Sequence, residues 1–311
     1  MNWIVAPGIY IDVPTADYFS DPCVAPSLTQ SIAKVLLARS PAHAFRAHPR
    51  LGPSADEDED REKYDASKAI GNAAHALLIG RGKEIAEGEF AAWTTKEAKA
   101  FRADAEAAGR SVILSKHMLR AQAMVAAARR QMDDAGWQEA FRVGHGEVVI
   151  AWQEDGIWLR SMIDWMTSPT RLYDLKSTGL SVAPHTLGIR GVDAGWDVQA
   201  AMQERGLDIL DPAGAGRRKF RFAPIENEPP YAMVPVELPE SWLVMGRKKL
   251  AVAIDLWREC MRSGTWPAYA SQTVRPEYPG FLETRWLERE VSEFADRPGR
   301  APFNPDIMMA G

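Results

Sequence analysis

Glu147–Thr178 reads EVVIAWQEDGIWLRSMIDWMTSPTRLYDLKST, and its period decides the fold. EVVIAW (Glu147–Trp152) alternates as a strand, Asp155-Gly156 is a two-residue hairpin signal, and IWLRSMIDWM (Ile157–Met166) is the return strand. Ser168-Pro169-Thr170 supplies a turn, and RLYDLKS (Arg171–Ser177) a third strand. A two-residue turn at Asp155-Gly156 sets Glu147 opposite Asp164, and a three-residue turn over Ser168–Thr170 sets Asp164 opposite Asp174. Three carboxylates then share one rung of three adjacent strands. Val148, Ile150, Trp152, Leu159, Ile163, Trp165 and Leu175 fall on the opposite, core face.

The carboxylate face also carries Arg160 and Lys176. Like charges across a ladder repel, so the rung needs a cation. A divalent metal meets that need, and carboxylate oxygens suit Mg²⁺ or Mn²⁺. The alternative is an ordinary charged sheet face, with Asp164 and Asp174 in salt bridges to Arg160 and Lys176.

Working outward, residues 1–140 read as mainly helical. Ser27–Leu37 offers Ser and Thr caps followed by Ile32, Val35 and Leu36 at helical spacing, and Ser40-Pro41 opens a short second helix. Ala66–Ile79 is a third, with Ile70, Ala73, Ala74, Leu77 and Leu78 as its buried side. Lys96–Ala108 and Lys116–Asp134 are Ala-rich helices. Ser54–Lys63 is a charge run that reads as a solvated loop. Beyond the meander, a helix is expected over Asp193–Arg205, strands over Lys219–Glu226 and Tyr231–Leu238, and a long helix from Pro239 to Arg262. Its apolar positions are Leu243, Leu250, Ile254 and Trp257. The layout is α+β, a sheet meander flanked by helices. Residues 1–270 form one domain, with sheet and helices over 141–270, and 271–311 a Pro-rich tail.

Composition bounds the function. The chain has 311 residues, 37 Lys and Arg against 42 Asp and Glu, and a net charge of -5, which argues against coating nucleic acid by bulk charge. No apolar run reaches the roughly 18 residues that span a bilayer, and the N-terminus lacks signal-peptide regions, so no membrane role and a cytoplasmic location are expected. Cys23 and Cys260 are too few for a four-cysteine iron–sulfur or zinc site. No Walker motif occurs, so no ATP is expected. Local basic clusters remain as phosphate contacts: Arg217, Arg218, Lys219 and Arg221 before and within a strand, Arg247-Lys248-Lys249 on the long helix, and Arg160 in the meander. His43, His48, His117, His145 and His185 have no ligand spacing.

Asp164, nine intervening residues, then Asp174-Leu175-Lys176 resembles the split signature of the PD-(D/E)XK nuclease superfamily, and the chain resembles in particular the RecE (exonuclease VIII) family with its phage-type relatives. Further segments carry the resemblance in order over residues 8–270. Pro26-Ser27-Leu28, Ser40-Pro41-Ala42-His43 and His48-Pro49-Arg50-Leu51 match the opening helical segment. Gly71-Asn72-Ala73-Ala74-His75 matches a G-x-x-x-H helix motif, and Asp174-Leu175-Lys176-Ser177-Thr178 a D-x-K-[ST]-T strand. Trp196–Ala201 matches a helix carrying a catalytic-site Gln. Pro229-Pro230-Tyr231, Trp257–Cys260, Gly264 and Trp266–Tyr269 match the closing segments.

The resemblance implies a restriction-endonuclease-like core and roles for these positions. Asp164, Asp174 and the Leu175 backbone carbonyl would hold the metal, and His75 would reach it. Lys176 would position or activate water, Gln199 would hold a water or the scissile phosphate, and Glu147 would support the site. One position departs: where related nucleases place Tyr, this chain has Gln203. The activity implied is Mg²⁺-dependent exonucleolytic resection of double-stranded DNA ends, 5′ to 3′, in a phage or bacterial cytoplasm. A single-strand annealing protein is the implied partner and a homo-oligomer the implied assembly. A structure-specific or restriction-type endonuclease, and a nuclease-like binding module without catalysis, are the alternatives.

Overall fold

At the centre of the hairpin, Asp155 and Gly156 both take positive φ, 45° and 81°, as a two-residue turn matching strand twist requires. The computed structural model describes residues 4–52, 65–269 and 272–294; the charge run of Ser54–Lys63 lies outside them. Two compact units divide the chain, Met1–Ala268 and Tyr269–Gly311.

The first unit opens with β1 (Gly8–Tyr10), α1 (Thr15–Phe19), β2 (Ser27–Leu28), α2 (Gln30–Ala38) and α3 (Pro41–Ala47). The expected third helix follows as α4 (Ala66–Ile79), then β3 (Ile85–Gly88), α5 (Lys96–Ala107), β4 (Ser111–Leu114) and α6 (Ser115–Asp134). The meander is β5 (His145–Glu154), β6 (Ile157–Ser168) and β7 (Arg171–Thr178). After it come α7 (Pro184–Ala194), α8 (Trp196–Leu210), β8 (Lys219–Glu226), β9 (Val236–Glu237) and α9 (Glu240–Ser263). In the second unit, α10 spans Gly280–Arg289.

The main sheet runs β1-β5-β6-β7-β8-β9, with β2 also on β6. β7 pairs β8 in parallel and β2 pairs β6 in parallel, the other pairs being antiparallel. The α+β layout with a mixed sheet therefore holds. Among the described residues, no helix is long and apolar enough to cross a membrane.

The hairpin register is as the turn dictates: Val148 faces Ile163 and Gly146 faces Trp165, which brackets Glu147 against Asp164. The next turn is shorter than expected. Ser168 pairs Arg171 and Met166 pairs Leu172, so Thr167 is bulged out and only Pro169-Thr170 turn. The β6–β7 ladder ends at Trp165 and Tyr173. That ladder keeps the expected register, so Asp164 and Asp174 come opposite each other one step beyond it, but unpaired through their backbones: the rung is a hairpin pair facing a fork.

The single core face is corrected too. Val148, Ile150, Trp152, Leu159 and Ile163 pack with Trp196, Val198, Leu250, Ile254 and Trp257 of α8 and α9. Trp165 and Leu175 instead pack with Ile70, Ala74, Met118 and Met124 of α4 and α6. Ile163 and Trp165 should share a face by the period of two. They separate at the position where Glu147 opposite adopts a φ of 51°. Both sides of the sheet are covered, so the carboxylates lie in a cleft between helices rather than on an open face.

Smaller differences have local causes. Leu77, expected inside, is 38% exposed, at the margin of α4's apolar stripe. The helix expected from Asp193 is two helices broken at Gly195, whose φ of 72° caps one and starts the other. The strand expected over Tyr231–Leu238 pairs only at Val236–Glu237 and through one bridge at Met233.

Candidate active site

Three elements meet at the fork. Beyond Tyr173 the β6-side edge of β7 has no ladder partner, and the Leu175 N–H donates instead to Asp164 Oδ2 at 3.1 Å. A side chain thus takes the place of a strand, which satisfies a backbone group that burial would otherwise penalise. From the other side, α4 closes in. A Cβ added to Gly71 would lie 2.2 Å from Ser177 Oγ, so the glycine permits the close approach. One turn later, on the same helix face, His75 Nε2 lies 3.3 Å from Asp164 Oδ2. The G-x-x-x-H spacing is therefore a packing position followed by a position whose side chain reaches Asp164.

Asp174 points toward α8. Lys176 Nζ is 2.6 Å from its Oδ1, and Gln199 Nε2 donates to its Oδ2. Lys176 also lies over the Phe222 ring at 5.8 Å. Glu147 is buried, and its Oε2 accepts a 2.7 Å hydrogen bond from Thr15 Oγ1. Glu147, Asp164, Lys176 and His75 line one cleft of about 810 Å³. A second, of about 290 Å³, brings together Asp164, Asp174, Lys176 and Gln199. Asp164 and Lys176 belong to both.

The two aspartates are not equivalent. Burial, joined by the negative charge of Asp164, pushes the Asp174 carboxyl up to about 6, against the counter-pull of Lys176 and Gln199. Burial also disfavours the Asp164 charge, but His75, Lys176 and the Leu175 amide outweigh it and hold its carboxyl below the usual value. Burial opposes the His75 charge as well, yet Asp164 raises its pKa. Lys176 is likewise raised, Asp174 and Asp164 overcoming its burial. A repelling pair of carboxylates, one charged and one reluctant, is the electrostatic condition a cation relieves.

The residues fit a hard divalent cation. Asp174 Oδ1 is buried without an aligned hydrogen bond among the described residues, Lys176 being its close neighbour. The side chains on offer are the Asp164 and Asp174 carboxylates, oxygen donors of the kind that Mg²⁺ prefers. Among the described residues no three His, Cys, Asp or Glu side chains form a ready cage.

The remaining sequence candidates are engaged by other partners, including Arg160, although it lines the second cleft. Arg160 does not pair Asp164: it is 3% exposed and bonds Asp21 Oδ1 at 3.0 Å, so its proposed DNA contact is withdrawn. Arg218 is withdrawn for the same reason, its guanidinium being enclosed by Asp208, Asp211 and the Leu207 carbonyl. Lys219 and Arg221 pair Glu237 at 3.1 and 2.8 Å, and Arg221 also lies over Trp137 and Tyr173. Arg247 and Lys249 pair Glu204 and Asp197. Arg217 is exposed and bonds the Ala213 carbonyl. Gln203, in the usual Tyr position, is buried and reaches the Met162 carbonyl at 3.4 Å.

Two site neighbours carried no sequence signal. Thr15, which holds Glu147, is 132 residues away in the chain. Lys34 of α2 lines the second cleft and donates to the Ala194 carbonyl at 2.9 Å. Burial, then the Lys176 charge, lowers its pKa.

Among curated proteins no sequence relative matches significantly. In structure the chain is similar to a candidate exonuclease from Eubacterium rectale, with a TM-score of 0.57 at 10% identity, covering 88% of this chain and 98% of that one. At that identity the likeness speaks for the fold, which is restriction-endonuclease-like. A second match, LHK-Exo in complex with dAMP, has a TM-score of 0.25 at 12% identity, covering 64% of this chain and 96% of that one, and carries no weight. A family model matches residues 40–274, which contain the fork, α4, α8 and all four strands β5–β8. The chain belongs to the family described as a PDDEXK-like domain of unknown function (DUF3799).

Proposed function

We propose that this protein is a metal-dependent deoxyribonuclease that resects double-stranded DNA from its ends. The observation that carries the reading is the fork. Two carboxylates of unlike affinity for protons lie at the point where β6 and β7 part, with Lys176 2.6 Å from one of them. Asp164, Asp174 and the Leu175 carbonyl would hold Mg²⁺ or Mn²⁺, with His75 beside them. When bound, such a cation polarises a phosphate oxygen and makes a bound water more acidic.

The chain's own groups do the rest. Lys176, kept protonated by its two aspartates, donates hydrogen bonds to the attacking water and to the negative charge that builds on the phosphate. Gln199 fixes the Asp174 carboxylate by donating to it and offers its carbonyl to water. His75 holds Asp164, and Thr15 holds Glu147 as a further acidic group in the cleft. With Lys219, Arg221 and Arg247 paired to carboxylates of the chain itself, Arg217 and Lys34 are the cations we assign to DNA phosphates.

By resemblance, resection runs 5′ to 3′ in the cytoplasm, a strand-annealing protein takes the product, and processive action calls for a homo-oligomer. The test uses linear duplex labelled at the 5′ or the 3′ end and a closed circle, with Mg²⁺ or EDTA. The wild type should release the 5′ label first, in Mg²⁺ alone, and leave the circle whole. Cutting of the circle would make the enzyme an endonuclease. Full activity in Asp174→Ala would remove the site assignment, and no cutting of either DNA would remove the enzyme reading.

A further inference from the structure

Lys176 lines a third cleft, outside the carboxylate site. This cleft has a volume of about 350 Å³ and lies between the end of β7 and α7. Its walls are apolar: Leu180, Val182, Leu187, Trp196 and Pro224, with the Thr178 end of β7 at its base. Set into this wall is Arg190, whose Nη1 is buried and meets no hydrogen-bond acceptor among the described residues. Asp193 also lines the cleft but is exposed and forms no ion pair with Arg190 among the described residues. A buried donor without an acceptor is costly, and it is tolerated where a ligand supplies the missing atom. At the cleft, Leu180 stands in solvent at 61% exposure, apolar surface that an isolated chain gains nothing by exposing.

Resting on the nuclease reading above, we infer that the α7 cleft is a nucleotide subsite, receiving the base next to the scissile phosphate after it has left its stack. Four observations converge on that occupant. The cleft shares Lys176 with the site of hydrolysis, so a strand held there continues into it. Its volume lies at the small end of ligand sites, roughly 300–1,000 Å³, which admits one nucleotide and no duplex. Apolar walls suit the faces of a base, which stack without regard to sequence. Arg190 supplies a donor to the ring or carbonyl acceptors that every base carries. Extracting a base costs least where the duplex already frays, so the cleft selects ends.

The experiment follows unstacking without turnover. A linear duplex with 2-aminopurine at its terminal pair is titrated with the full-length protein in EDTA, and a distal dye reports binding by anisotropy. Wild type should raise the 2-aminopurine fluorescence at least threefold. Arg190→Met and Leu187→Phe should lose more than half of that rise while the affinity for DNA changes less than threefold. Because Arg190→Met removes an unsatisfied buried donor, its melting temperature should stay level or increase, which separates lost recognition from lost folding. An equal rise in both variants, or bound DNA with no rise, overturns the subsite. Hydrolysis in Mg²⁺, measured beside it, judges the other reading: cutting without unstacking removes only the subsite, and unstacking without cutting removes only the nuclease.

Discussion

Strand β6 carries two charged residues four positions apart, Arg160 and Asp164, and their surroundings are opposites. At Arg160 the carboxylate is answered by cations and donors, although the Arg160 Nε itself meets no acceptor among the described residues. Asp21 receives Arg160 at 3.0 Å, the Ser27 amide and hydroxyl at 2.9 and 2.7 Å, and His48 at 3.4 Å. Burial works against the Asp21 charge, but the His48, Arg160 and Ser27 contacts outweigh it and hold its carboxyl below 3.8. At Asp164 the accounts are left open. A second carboxylate sits next to it, one oxygen of that neighbour lacks an aligned donor, and its proton affinity rises to about 6. Both clusters are buried and polar. The closed one ties α1, β2 and α3 to the sheet, and the open one waits for something from outside.

If that contrast is right, the two clusters should fail in different ways. Asp174→Ala should lower DNA hydrolysis by at least roughly 10³-fold, the scale of losing a major transition-state electrostatic group, measured as initial rate on linear duplex. The same variant should melt no lower than wild type, because it removes a repelling buried charge. Arg160→Met should do the reverse. It strands Asp21 without its main cation and should cost about 3–5 kcal/mol of stability, read from urea midpoints, while kcat of the folded fraction stays within a few-fold.

A finer test addresses how α4 is pressed against the fork. Gly71→Ala places a Cβ against Ser177 and should cost about 1–3 kcal/mol along with activity. Ser177→Ala in the same chain should restore a large part of the stability, and no recovery in that double variant would show that the contact does not set the helix position. The smallest effect concerns pH. Asp21 has a depressed folded pKa, so its contribution is complete above the ordinary carboxylate value and is lost as pH falls through the folded one. The stability gap between wild type and Asp21→Asn should therefore be flat near neutrality. It should close below about pH 4, by no more than about 1.4 kcal/mol per pH unit.

Legibility in the sequence followed the range of the forces involved. The β5–β6 hairpin could be registered because Asp155-Gly156 encodes its own backbone angles, and the helices α4, α6 and α9 because their apolar stripes are long. The β6–β7 turn is one residue shorter than its sequence suggests, because a bulge at Thr167 adds a residue without leaving any mark in composition. Strands β1 to β4 and the helix α1 are short. They exist because of partners distant in sequence, as β1 does through Ala151, Ile150 and Val149. The same limit governed the site. Asp164, Asp174 and Lys176 are fixed by strand period and motif, whereas the fate of Arg160 depends on an aspartate 139 residues away. A basic residue in a sequence says that a counter-charge is needed. It does not say whether that charge is DNA or the protein itself.

The hydrogen bond from the Leu175 amide to Asp164 gives the fork a built-in gauge. An N–H in the body of a sheet exchanges with solvent only when the sheet opens, but this one is guarded by a single carboxylate. Anything that draws Asp164 aside, whether an ion, a phosphate or the substitution Asp164→Ala, exposes that one amide while the adjoining β7–β8 ladder stays shut. Deuterium uptake at Leu175 thus reports on the site from within the backbone, needing neither substrate nor turnover.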